Sequence, residues 1–278
     1  MDDINRPPTY KEEVTQYTKK DAIHALLFFT AIVFSNLLVR VIPVLPMGYN
    51  VNLVFVSIQL AMLFVILKKK RQGLRSVGIH AIDWKKALAV GLVFAVACLM
   101  LFNGILSGLL EGWRLRDPVA LTGIIAATLL LAFYEDVFFV GYCQTRIYGL
   151  IKKDWLAIAL GAFLFASIHW PYWIMVALTR GNEHFADYNL VSFAMHNVMW
   201  IAFYILLNTI FRHLRSIIPV VLFHLSHNLA MGNRGGLWLL DSYETGGFIA
   251  VSFGIVFSLV MLVVWWISPQ RKKRNEAK

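Results

Sequence analysis

The sequence predicts an all-α membrane protein of eight transmembrane helices with both termini in the cytoplasm. Composition is the first reason. The chain of 278 residues is 59% hydrophobic and 15% charged, with a mean hydropathy of +0.64, a balance too apolar for an ordinary soluble domain. The second is length. Apolar runs of about 20 residues, enough to cross roughly 30 Å of hydrocarbon as a helix, recur along nearly the whole chain. The third is the placement of charge. Arg6, Lys11, Lys19 and Lys20 precede the first span. Lys68 to Arg71, Arg75, Lys85 and Lys86 follow the second, and Arg146, Lys152 and Lys153 follow the fourth. Arg212 and Arg215 follow the sixth, and Arg271, Lys272, Lys273, Arg274 and Lys278 close the chain. Only Arg40, Arg114, Arg116, Arg180 and Arg234 fall at the opposite ends. Basic residues in alternate loops mark the cytoplasmic side, so the net charge of +10 points to the lipid bilayer as partner and not to nucleic acid.

Taken in order, residues 1–22 are polar and of mixed charge, which reads as a cytoplasmic tail and not as a signal peptide. Span 23–45 is too long for a signal's apolar region and has no small-residue cleavage site, so it stays as an anchor. Pro43 and Pro46 end it. Spans 49–67 and 87–110 flank loop 68–86, the longest and most basic connection, whose first reading is a topological anchor beside the headgroups. Spans 119–141, 155–177, 188–210, 216–232 and 246–268 complete one bundle over 23–268, followed by a basic tail at 269–278. Loops 178–187 and 233–245 read as extracytoplasmic connectors. Cys98 and Cys143, the two cysteines, suggest neither a disulfide framework nor a zinc cluster.

Against this background one pair stands out. Glu135 and Asp136 lie side by side in TLLLAFYEDVFFVGY, inside an apolar span where an unpaired carboxylate costs at least ~3 kcal/mol. They need partners, and the downstream spans offer His169, His224, His227 and Asn228. Neighbours on an α-helix point about 100° apart. The two acids are therefore not expected to share one small pocket: one should face a reacting water and the other a backbone or polar group of an adjacent helix. Polar residues do join transmembrane helices, but usually Ser, Thr or Asn and not paired acids. His224 and Asn228, four apart, share one helix face and form a donor pair suited to an oxyanion. His227 lies on a flanking face in a supporting position, as does Asp136. His196 and Asn197 read as structural. Glu135, His169 and His224 also make a two-histidine, one-carboxylate set compatible with zinc, although no HExxH motif is present.

These residues resemble the CPBP (CAAX protease and bacteriocin-processing) intramembrane proteases, related to the Abi proteins and to the type 2 CAAX prenyl protease. That family carries EExxxR, FxxxH and HxxxN or HxxxD on three separate membrane helices. Here the motifs are Glu135, Asp136 and Val140; Phe165 and His169; His224 and Asn228, in order across roughly residues 120–232. The resemblance implies a glutamate-dependent endopeptidase in which Glu135 activates water with help from His169, while His224 and Asn228 bind the oxyanion and no cofactor is needed. Its substrate would be a membrane-associated peptide or protein, and its setting a bacterial cell membrane. Asp136 for the second Glu and Val140 for the Arg are departures. Arg146 is a poor substitute for that Arg, about 9 Å further along the helix. The runner-up reading is a non-proteolytic family member acting as a membrane scaffold or regulator. A proton-coupled transporter is a third, for which no repeat symmetry is seen.

Overall fold

The computed structural model describes residues 9–41, 49–109, 114–115, 117–171, 173, 190–231 and 238–239. Their helices are α1 (Tyr10–Thr15), α2 (Lys19–Val41), α3 (Tyr49–Lys69), α4 (Trp84–Leu109) and α5 (Pro118–Glu135). These are followed by α6 (Gln144–Ile147), α7 (Asp154–Ser167), α8 (Leu190–Leu214) and α9 (Ile218–Met231). A 3-10 turn, Leu74–Val77, links α3 to α4. The only strands among the described residues are β1 (Arg114–Leu115) and β2 (Trp238–Leu239), a two-residue antiparallel pair. By length and composition, Lys19–Leu38, Pro118–Ile147 and Phe193–Leu214 are long and apolar enough to cross a membrane. Asp154–Ser167 and Ile218–Ala230 are shorter apolar helices. The span expected at 246–268 lies outside the described residues, as does loop 178–187.

Pro118–Ile147 is the axis of the site. It opens on an Asp117 cap, whose carboxylate accepts from the Val119 and Ala120 amides, with Pro118 in the first turn, where a missing N–H costs nothing. At Asp136 the winding changes from α to π and stays so through Cys143 before α6 closes the helix. The expected span 119–141 thus runs six residues further, because the whole stretch from Asp136 to Ile147 is buried.

Aromatic rings lock this segment to its neighbours. Phe28 of α2 meets Phe138 edge-on at 5.2 Å, and Phe139 meets Phe165 of α7 at 5.3 Å. Edge-to-face pairs at such separations add to the burial they bring. Gly141 is required where it stands, since a Cβ there would lie 2.7 Å from the Val77 carbonyl oxygen; the 3-10 turn rests directly on the π segment's backbone. Gly91 does the same for α4 and α9, its Cβ position being 2.9 Å from the Pro219 Cα. Close backbone approach through a small residue is the usual means by which membrane helices pack.

Two expectations are corrected. The segment read as a polar tail folds onto the bundle: Tyr10, Glu13, Val14 and Tyr17 are buried. Their spacing is that of one helix face, with an acid at Glu13 that disguised it as polar. The second correction concerns 155–177, expected as one helix. Regular α7 ends at Ser167, and the His169 amide bonds Ala166 O, three residues back. His169 therefore sits in a two-residue turn, after which helix resumes at Trp170 and the Trp173 amide bonds His169 O at 3.4 Å.

Candidate active site

Glu135 is the last residue of α5 and Asp136 the first of the π segment, and both carboxylates reach the same imidazole. His224 Nδ1 lies 3.0 Å from Asp136 Oδ1, and its Nε2 lies 3.6 Å from Glu135 Oε2. The expectation that the two acids could not share a pocket is overturned, for two reasons. The helix changes to i→i+5 bonding at this residue, which alters the angular step between side chains. An imidazole also presents nitrogens on two edges, so it accepts one neighbour at each. The companion expectation, that one acid bonds a polar group on an adjacent helix, is met by Asp136.

The hydrogen-bond logic sets the tautomer. A carboxylate only accepts, so His224 Nδ1 carries the proton that it donates to Asp136. At 3.6 Å the Glu135 contact exceeds a hydrogen bond and is an electrostatic approach. Asp136 is 0% exposed, and its Oδ2 has no hydrogen-bond partner among the described residues. The His224 side chain is 4% exposed and that of Glu135 13%, so Glu135 is the more accessible acid.

His169 and His224 both pack against the ring of Phe165. Phe165 presents its ring to His169 at 5.5 Å and to His224 at 6.3 Å between centroids. His169 Nδ1 is 3.1 Å from Phe165 O; a carbonyl also only accepts, so Nδ1 again bears the proton and Nε2 is left as acceptor. Asn228, half-buried, follows His224 on α9. His227 stacks on Phe203 at 4.2 Å and belongs to the aromatic core. Asn197 accepts from Trp170 Nε1 at 2.8 Å and donates to Phe193 O, a structural use of that residue.

Val140 is fully buried in the apolar core. The nearest basic residue along this helix, Arg146, is engaged elsewhere. Its guanidinium donates to Ser76 O, Gly141 O, Thr145 Oγ1, Gln72 Oε1 and Ser76 Oγ. Among the described residues no three His, Cys, Asp or Glu side chains are grouped to hold an ion.

Residues 117–230 match the model of a family described as type II CAAX prenyl endopeptidase Rce1-like. Over these residues the chain is similar to this CAAX protease family. No curated protein and no solved structure matches it. The matched stretch begins at the Asp117 cap and ends in the last turn of α9, enclosing every residue of the constellation. That likeness to a peptidase family and the three helices long and apolar enough to cross a membrane agree with each other.

Sequence reading missed Trp200, which lies flat against His169 at 4.0 Å. Within FAMHNVMW it has the look of one more apolar residue, and its only signal is its place one turn after His196.

Proposed function

We propose that this protein is an intramembrane endopeptidase that hydrolyses a membrane-associated peptide or protein with a water activated by Glu135. The observation that carries this reading is the single imidazole held between two carboxylates, with the more accessible acid making no side-chain hydrogen bond among the described residues. Glu135 takes a proton from water as the oxygen attacks the scissile carbonyl carbon. His169 Nε2, an acceptor, orients the same water. With Asp136 holding Nδ1, His224 donates from Nε2 in its imidazolium form to the oxyanion, beside the Asn228 amide. The C–N bond then breaks, and the proton held by Glu135 passes to the leaving amine. His227 supports the site from the adjacent aromatic core. The reaction needs no metal.

Eight spans with both termini cytoplasmic remain our topology, in the cell membrane of a bacterium, with the lipid bilayer and no nucleic acid as partner. The family description makes a prenylated CAAX peptide the first substrate to try. The test is cleavage of a farnesylated CAAX peptide by purified wild type and Glu135→Gln, with chelator in a parallel sample. Turnover that survives Glu135→Gln unchanged replaces this reading by the scaffold. The scaffold has its own support: the His224–Asp136 bond would serve equally to pin α9 to the π segment.

A further inference from the structure

His169 lies in the two-residue turn that separates α7 from the helical residues resuming at Trp170. Its amide bonds three residues back to Ala166 O at 3.2 Å, a tightened turn. The ring is held by its surroundings. Nδ1 donates to Phe165 O at 3.1 Å. The Phe165 ring stands at 67° to it. The Trp200 indole covers its face, with 4.0 Å between centroids and 13° between planes, the flattest and closest ring contact His169 makes.

Trp200 is itself held. His196, one turn earlier on α8, meets it at 5.6 Å, and Trp173 meets His196 at 4.8 Å. The segment carrying His169 is further tied to α8 by the Trp170 Nε1 to Asn197 Oδ1 bond. The indole is thus a fixed plate on a regular helix, against which a ring on an irregular turn is set.

We propose that Trp200 is a positioning residue for His169. The indole fixes the plane of the imidazole so that Nε2 is presented as a single-tautomer acceptor, and its π face stabilises the ring whenever it takes a proton, as an indole does best among the aromatics. An aliphatic side chain would fill the space but offer neither effect. The positioning of an imidazole matters to turnover only if His169 belongs to the hydrolytic set, so the inference rests on that reading.

Two readouts separate the inference from its foundation. The first needs no substrate: 15N-histidine NMR of protein in lipid nanodiscs, with the His169 signal identified by its loss in His169→Asn. Wild type and Trp200→Phe should show one Nδ1-protonated tautomer, and Trp200→Leu an averaged one. The second is cleavage of the farnesylated CAAX peptide. Trp200→Leu should lower kcat about tenfold or more, the scale expected when a reacting group is misplaced, with KM changed less than about twofold and Trp200→Phe restoring most of the loss. In a His169→Ala background Trp200→Leu should add nothing, since one positions the other. Trp200→Met serves should Trp200→Leu not fold. An unchanged tautomer, or losses that multiply with His169→Ala, overturns the proposal. Full activity of Glu135→Gln instead overturns the protease reading, and the NMR result then still decides whether Trp200 sets the ring.

Discussion

Two regions of this molecule bury charge, and they treat it in opposite ways. At the end where α6 meets the 3-10 turn, Arg146 is 0% exposed and spends its guanidinium on five hydrogen bonds. It also lies over the rings of Tyr17 and Tyr142 at 4.3 and 4.6 Å. The docked N-terminal helix extends the network: Glu13 pairs with Arg215 at 3.6 Å and accepts from Tyr17, and Tyr10 packs edge-on against Tyr148. Burial pushes the Tyr10 and Tyr17 phenols above their ordinary range, with the neighbouring arginines pulling the other way. Ten residues back along the same helix, Asp136 is equally buried but, among the described residues, has one hydrogen bond and one oxygen without a partner. Low dielectric makes an unmet polar group costly, and native structures meet nearly all of them. Arg146 is bonded as a structural charge is bonded, through both terminal nitrogens, with Nε alone lacking a partner among the described residues. The carboxylate pair is under-bonded, as a group kept available for chemistry would be.

Substitutions can break or sharpen that contrast. The largest effect should come from Glu135→Gln, which keeps shape and removes the base: a loss of 10²–10⁴-fold in turnover is expected, in line with general-base removal, with the thermal midpoint in detergent nearly unchanged. Next is Val140→Arg, which restores the family's cation. Because Val140 is 0% exposed in the apolar core, the change overpacks and buries an unpaired charge, and a loss of about 3 kcal/mol or more is expected in denaturant unfolding. Higher activity at intact stability would show that Asp136 had lacked that partner. Arg146→Met should cost about 3 kcal/mol by leaving the Ser76 and Gln72 acceptors unmet, lowering the thermal midpoint more than any carboxylate variant. Asp136→Asn retains an acceptor for His224 Nδ1 but not the charge facing the imidazolium. It should lower kcat about tenfold, within the worth of one charge-assisted bond, and leave the midpoint near wild type. Smallest of all, Thr9→Ala removes one half of the capping box that Thr9 forms with Glu12. About 1 kcal/mol is expected, visible as faster hydrogen exchange confined to α1.

Much of the scaffold could be read without coordinates. In hydrocarbon every backbone group must be met within the segment, so apolar runs of spanning length have to be helices, and α2, α3, α4, α5, α8 and α9 lie where those runs predicted them. The polar residues of the site were legible for a related reason: an acid or a histidine in such a run is too costly to be idle, and that alone singled out Glu135, Asp136, His169 and His224. Periodicity also put His224 and Asn228 on one face, since that is a property of one helix.

What tertiary structure decided is everything that passes between helices. Which acid meets which nitrogen of His224 depends on the register of α9 against the π segment, set by backbone contacts such as Gly91 on Pro219 and by interlocked rings. Nothing in a single helix encodes that register. The change of winding at Asp136 is likewise invisible in residues that would each accept an α-helix, and it comes with a segment buried on all sides. The partners of Arg146 come from residues 70 and 74 positions away. The plate that Trp200 offers to His169 joins α8 to the short turn that follows α7. Local chemistry determined which residues carry charge into the membrane; packing determined which of them meet.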